Sequence, residues 1–354
     1  MPGVESPTAT TAPTAVDVHA HAMPMAVLQW LAGRGLADLA GVERGVVVLD
    51  PMISGVGRGA PLPLARSMYD ATVRLAEMDA AGVSHEAVSL PPFLMATMSP
   101  DSALVGELLA RGTQALIEYC STDQDRLRPL AGVPVGFATA ADTAREVLDS
   151  GSVTGIAVGS RGGGTELDDA VNTELWTLLS ERETFVLLHP SGVPDPKRLA
   201  DFWFPQLVGY PMETAVAAAR LAFSGVLEAH PLRLCLAHGG GCLPSLRGRL
   251  DMGWDRKPVA HTTSAPPREL FDRLYYDTAV FDPAILRRLV EDVGADHVLL
   301  GTDHPFDLAE RDPIGFVDSA GLDDVARGLI LHRTAARLLG IEADIDDENG
   351  TPGA

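Results

Sequence analysis

Lysine is almost missing from this chain of 354 residues: only Lys197 and Lys257 occur, and 48 acidic against 27 basic residues give a formal net charge of -21 at pH 7. A surface of that sign repels nucleic acid and anionic lipid, so neither nucleic acid nor a membrane is expected as a partner. Cysteine is scarce as well. Cys120, Cys235 and Cys242 are odd in number and form no CxxC pair, which excludes a disulfide framework and a structural zinc knuckle and leaves reduced, buried thiols. No apolar run reaches membrane-spanning length, and the opening MPGVESPTATTAPTA has neither the basic start nor the apolar core of an export signal, so a cytoplasmic protein is expected. No GxGxxG follows the first strand-like run, which argues against an open dinucleotide-binding sheet.

What is present is apolar and rich in turns: hydrophobic residues make up 46%, with 35 glycines and 26 prolines. The Pro/Thr/Ala-rich residues 1–14 and the acidic residues 342–354 read as disordered tails around one domain at 15–341. Eight short apolar runs fall between them: AVDVHA (15–20), EAVSL (86–90), PLAGVPV (129–135), VTGIAVG (153–159), TFVLLHP (184–190), LRLCLAH (232–238), LYYDTA (274–279) and HVLLGTD (297–303). Amphipathic stretches separate most of them, including DATVRLAEMDAAG with an Asp70 start and a Gly82 stop, SALVGELLARGTQALIEYCS, and a long METAVAAARLAFSGVLEAHP. Eight nearly continuous apolar strands alternating with helices predict an α/β fold, a parallel TIM (β/α)8 barrel. VVVL (46–49) and the Gly/Pro-rich 54–67 predict a small hairpin inserted after strand one, over about 44–67.

AVDVHAHAMP, at 15–24, places two imidazoles on one strand. In a regular strand His19 and His21 share a face, and Asp17 lies behind them on it. The strands of a parallel barrel all end at one mouth. Strand one brings His19 and His21 there, strand five His189, strand six His238, and strand eight Asp303 followed by His304. His19, His21, His189 and Asp303 suit one divalent ion, Zn2+ first and Mn2+ second, whereas an all-oxygen Mg2+ or Ca2+ site needs more carboxylates. A bridged metal pair would need a lysine at the end of strand four, which reads GSRGGG. His238, followed by three glycines that let a substrate approach, is the expected proton donor and acceptor.

VDVHAHAMP, RLAEMDAAGV, VLLHPSG, LCLAHGGGCLPSLRGRLDMGW, YYDTAVFDP and VLLGTDHPF, in that order from about residue 15 to 340, resemble the amidohydrolase-2 group of the amidohydrolase superfamily, on the side of its aminocarboxymuconate-semialdehyde decarboxylases. The resemblance implies a metal-dependent barrel of the hydrolase type that decarboxylates a small aromatic or enol-type carboxylic acid without an organic cofactor. The alternative it leaves open is a hydrolase or hydratase, a lactonase or amidohydrolase, on the same site. It implies His19, His21, His189 and Asp303 as metal ligands, and His238 with Asp303 in proton transfer. Arg249 would reach the neighbouring active site across a homodimer interface. For the substrate, Leu62 stands where the family has an arginine, with Arg58 and Arg66 nearby. Phe202 falls on a tryptophan position beside Trp203, and His304 replaces an aromatic residue, filling the rim or adding a proton-transfer group.

Overall fold

The computed structural model describes residues 15–57 and 59–341; both tails and Arg58 lie outside the described residues. Eight parallel strands, hydrogen-bonded in chain order, form the central sheet: β1 Ala15–His21, β2 Val83–Ser89, β3 Leu127–Gly132, β4 Gly155–Gly159, β5 Phe185–His189, β6 Arg233–Leu236, β7 Tyr275–Asp277 and β8 Val298–Leu299. The ends meet where Val18 N donates to Leu300 O at 2.9 Å, Asp303 N to His19 O at 2.9 Å and His21 N to His304 O at 2.8 Å. The eight predicted runs are the eight strands of a TIM barrel.

Helices α1 Ala71–Ala81, α2 Ser102–Cys120, α3 Ala140–Asp149, α4 Thr173–Glu181, α5 Tyr210–Phe223, α6 Leu243–Arg256 and α7 Pro283–Val293 surround it. Asp70 caps α1 by accepting from Thr72 N and Val73 N, and Gly82, at φ 72°, ends it as predicted. The long stretch expected over 212–231 stops instead at Phe223, because Gly225 takes a left-handed φ of 87° and starts a separate short helix, Val226–Ala229. The insert is larger than a hairpin. Val46–Leu49 pairs with Pro61–Pro63 on one side and with Ala37–Asp38 on the other, and Leu62 is buried within this small antiparallel sheet.

Side chains alternate across the barrel wall. Val16, Val18, Ala87, Leu130, Ala157, Phe185, Leu187, Cys235 and Leu299 pack together inside, while Ile156, Val158, Val186, Leu188, Leu234, Leu236, Val298 and Leu300 pack outward against the helices. Each fully buried leucine of this kind contributes about 1.5–3 kcal/mol. β1 breaks the alternation: Asp17 pairs with Glu86 and Ala20 with Val88, so three steps on β1 face two on β2. That β-bulge overturns the expected shared face, since His19 and His21 point inward and Asp17 points outward. Asp17 lines a cavity of about 450 Å³ between the wall, α1 and the segment after β8, together with Glu77, Glu86, Thr302 and His304. Burial, then Glu86, raises the Asp17 carboxyl to about 7.

Arg74, wholly buried on α1, pairs with Glu86 and donates to Tyr119 Oη at 2.7 Å and to the carbonyl of His21. All three cysteines are free thiols. Among the described residues no helix is long and apolar enough to cross a membrane. Removing one partner of a buried ion pair strands the other charge, so Arg74→Ala is expected to lower stability by about 3–5 kcal/mol in urea unfolding; a loss under 1 kcal/mol would show that the pair holds nothing together.

Candidate metal centre and active site

Three imidazoles enter the mouth with their outer nitrogens already engaged. His19 Nδ1 lies 2.6 Å from Asp277 Oδ2, His21 Nδ1 3.0 Å from Ser89 Oγ, and His189 Nδ1 2.9 Å from the carbonyl oxygen of Pro190. A carbonyl only accepts, so His189 carries its proton on Nδ1; the Asp277 carboxylate sets the same tautomer on His19. Ser89 Oγ donates to Ala20 O at 3.4 Å, which leaves its oxygen to accept from His21. Each Nε2 therefore faces the centre, the orientation that a metal-binding histidine needs, and a metal there would displace the Nε2 proton of His19.

There they meet Asp303. Its Oδ1 is 3.3 Å from His19 Nε2 and 3.2 Å from His21 Nε2. One donor atom from each of His19, His21, His189 and Asp303 lies within 4.8 Å of the others. His189 Nε2 and Asp303 Oδ1 are buried without a hydrogen-bond partner, and such buried orphans carry a cost unless a ligand engages them. Three nitrogens and a carboxylate, converging with orphaned atoms, fit a divalent ion of borderline character.

Burial opposes charge on His19, but the carboxylates of Asp277, which accepts its Nδ1–H, and of Asp303 beside its Nε2 outweigh it and raise His19 to about 10. Burial lowers His21 to about 4 and, with the neighbouring imidazoles, holds His189 well below its ordinary range. Burial also works against the Asp303 carboxylate, yet His19, His21 and His238 keep it ionised far below the usual carboxylate range. Two neutral imidazoles and one carboxylate are thus ready as ligands without first losing a proton at neutral pH.

His238 follows β6 and completes the cluster, with Nε2 3.6 Å from Asp303 Oδ2 and its ring centroid 5.0 Å from that of His189. Both His238 (φ 57°) and Asp303 (φ 63°) adopt left-handed backbone, a strain of about 1–3 kcal/mol each that the surrounding structure must support. Asp277 supplies part of that support. Its Oδ2 holds His19, while its Oδ1 accepts from Gly239 N at 2.8 Å and Ala279 N at 3.1 Å, pinning the turn that carries His238. Asp17 acts similarly from outside the wall, accepting from His19 N, Thr302 N and Thr302 Oγ1 and thereby fixing the approach to Asp303. Phe306 and Tyr210 pack their rings on His21 and His189 at 5.4 and 6.0 Å between centroids.

The other predicted residues are dispersed. Arg66 pairs with Asp70 at the start of α1 with 71% of its side chain exposed. Arg249 is exposed on α6. Phe202 and Trp203, 79% and 65% exposed, lie on the loop after β5. His304, one residue past Asp303, takes the opposite face and binds Glu77 at 2.9 Å and Glu86 at 3.3 Å in the outer cavity, which raises it to about 9 against the effect of burial. Arg58 is outside the described residues. Asp277, absent from the sequence-based set, ends strand seven in LYYDTA, and the strand-end rule that selected the other ligands applies to it equally.

A sequence model described as amidohydrolase matches residues 16–341. The chain belongs to the amidohydrolase family. Among related amidohydrolases, the 2-amino-3-carboxymuconate-6-semialdehyde decarboxylase of Dictyostelium discoideum is 29% identical, the match covering 77% of each chain. The γ-resorcylate decarboxylase of Rhizobium radiobacter is 31% identical, over 66% of this chain and 76% of its own. The solved 5-carboxyvanillate decarboxylase of Sphingomonas paucimobilis has the same fold, with a TM-score of 0.78 at 21% identity over 93% of this chain and 100% of its own.

Loss of an outer partner of a metal-binding imidazole weakens metal affinity by about 10–100-fold. Asp277→Asn is expected to do so for Zn2+ in chelator competition, and His189→Ala to remove stoichiometric binding. Unchanged affinity in both variants would refute the assignment of the centre.

Proposed function

We propose that this amidohydrolase is a metal-dependent carboxy-lyase that removes CO2 from a small aromatic or enol-type carboxylic acid. The observation that carries this reading is the pairing of His238 with Asp303 at the edge of a closed His19–His21–His189–Asp303 donor set. These four residues would hold one divalent ion, with Zn2+ preferred and Mn2+ the alternative. When bound, the ion supplies Lewis acidity that steadies negative charge on a substrate oxygen.

The chain's own groups do the rest. His238 Nε2, 3.6 Å from Asp303 Oδ2, is the group that delivers a proton to the ring or alkene carbon bearing the carboxylate, with the Asp303 carboxylate beside it to favour the imidazolium. The electron pair of the breaking carbon–carbon bond stays with that carbon while the carboxylate leaves as neutral CO2, so one carboxylate and one proton become one C–H bond and CO2. His19, His21 and His189, all buried, keep bulk water from the reacting carbon. No organic cofactor is needed, because the charge left on carbon delocalises into the substrate's own ring or enol.

Arg249 is assigned to a homodimer. On the turn of helix before α5 and on α5 itself, Phe204, Val208, Met212 and Val216 recur every four residues as one exposed apolar stripe, beside Phe202 and Trp203. Such a stripe suits burial against a second copy, which would bring Arg249 of one chain toward the mouth of the other.

His238→Ala is expected to lose at least about 1000-fold in kcat, within the range for a general acid, while retaining its metal. CO2 release should be seen with a panel of hydroxybenzoic and enol acids and no incorporation of 18O from water; hydrolysis or hydration without CO2 would replace this reading with the hydrolase one. The double variant Val208→Glu, Met212→Glu should sediment as a monomer, and an unaltered dimer would place the interface elsewhere.

A further inference from the structure

Arg161 is a cation at the barrel mouth that neither the metal centre nor the fold employs. Gly159, the last residue of β4, pairs with the ligand His189. Arg161 follows two residues later, within about 7 Å of that layer along the chain. Its Nη2 lies 3.4 Å from Met98 Sδ on the loop after β2. A methyl group at Gly192, on the loop after β5, would sit 3.8 Å from its Nε, and Met98 in turn borders Gly55 of the insert. Two loops that rise from the mouth thus flank one guanidinium, with the insert packed behind Met98.

Among the described residues no carboxylate lies within ion-pair distance of it, whereas Arg66, Arg74, Arg220, Arg247 and Arg268 each have one. A nearby acid, Glu213, accepts at Oε1 from Ser160 Oγ at 3.0 Å. A thioether is a weak acceptor, so most of the donors of Arg161 are left for a ligand. Arg161 opens a hairpin in which Arg161–Gly162 pairs with Thr165–Glu166, and the facing Glu166 turns its carboxylate to Arg220 at 3.7 Å.

We propose that Arg161 anchors an anionic substituent of the substrate, and one that the product keeps. A guanidinium gripping the departing carboxylate would favour the bound acid over a transition state in which that charge is leaving as CO2. A retained group is held equally before and after the bond breaks, so a bidentate grip on it is uniform binding that is read in KM rather than in kcat. The substrate class is therefore an aromatic or enol acid with a second acidic group. This assignment rests on the decarboxylase reading, and its test separates the two.

Isophthalate and benzoate are titrated calorimetrically into Zn2+-loaded wild type and Arg161→Gln, with metal content and melting temperature measured alongside. Wild type should bind isophthalate at least about tenfold more tightly than benzoate, the value of a charge-assisted bidentate contact. Arg161→Gln should abolish that ratio while leaving benzoate binding, metal and melting temperature unchanged. In turnover, the variant should raise KM for 4-hydroxyisophthalate with kcat within threefold of wild type. An unchanged ratio, or no preference in wild type, overturns the role of Arg161 even if CO2 is released. A ratio lost in the variant upholds it even if no acid in the panel is decarboxylated, in which case the decarboxylase reading is what fails.

Discussion

Everything at this barrel's mouth depends on bringing three imidazole nitrogens and a carboxylate oxygen within 4.8 Å of one another in a buried space. Such crowding is costly unless a cation shares the lone pairs, so the surrounding structure must hold each ring from behind. It does so through three different acceptors, a carboxylate, a hydroxyl and a backbone carbonyl, each on Nδ1. Asp277 ties two parts of the cluster together, because one of its oxygens orients His19 and the other holds the turn bearing His238. The two left-handed residues of the cluster, His238 and Asp303, are also the pair to which proton transfer is assigned in the proposed reaction.

The outer wall contributes as much as the interior. The bulge on β1 turns Asp17 outward, where it clamps Thr302 and so aims the next residue, Asp303, at the centre. Arg74, tied to Glu86, reaches the carbonyl of His21, and His304 closes the same network against Glu77 and Glu86. His304, close to the ligands in sequence, thus serves the support rather than the mouth. A long polar network of this kind, with Arg74 and His304 set against Glu77 and Glu86 and Asp17 satisfied by hydrogen bonds, can be buried here only because its members lie on different elements that pack against one another.

Much of this was legible in the chain. The eight apolar runs, the Asp70 and Gly82 boundaries of α1 and the strand-end cluster of histidines and Asp303 are local patterns: strand alternation, caps, and the rule that parallel strands finish at one face. The long stretch at 212–231 was less so, because its apolar period runs on through Gly225 while the backbone reverses there. Asp277 was readable by the same strand-end logic, yet its meaning comes only from the ring it faces.

The sequence by itself determined the barrel and which four side chains meet at its mouth, His19, His21, His189 and Asp303, since both follow from residue type and short-range spacing. Tertiary structure decided where the arginines went. Arg66 found Asp70, Arg74 found Glu86, Arg249 stayed on a helix surface, and Arg161, an unremarked residue of GSRGGG, was left at the mouth without a carboxylate. A charged side chain's role is set by the opposite charge that packing brings within a few ångströms, and that partner sits on another element, at a distance in sequence that no local pattern encodes.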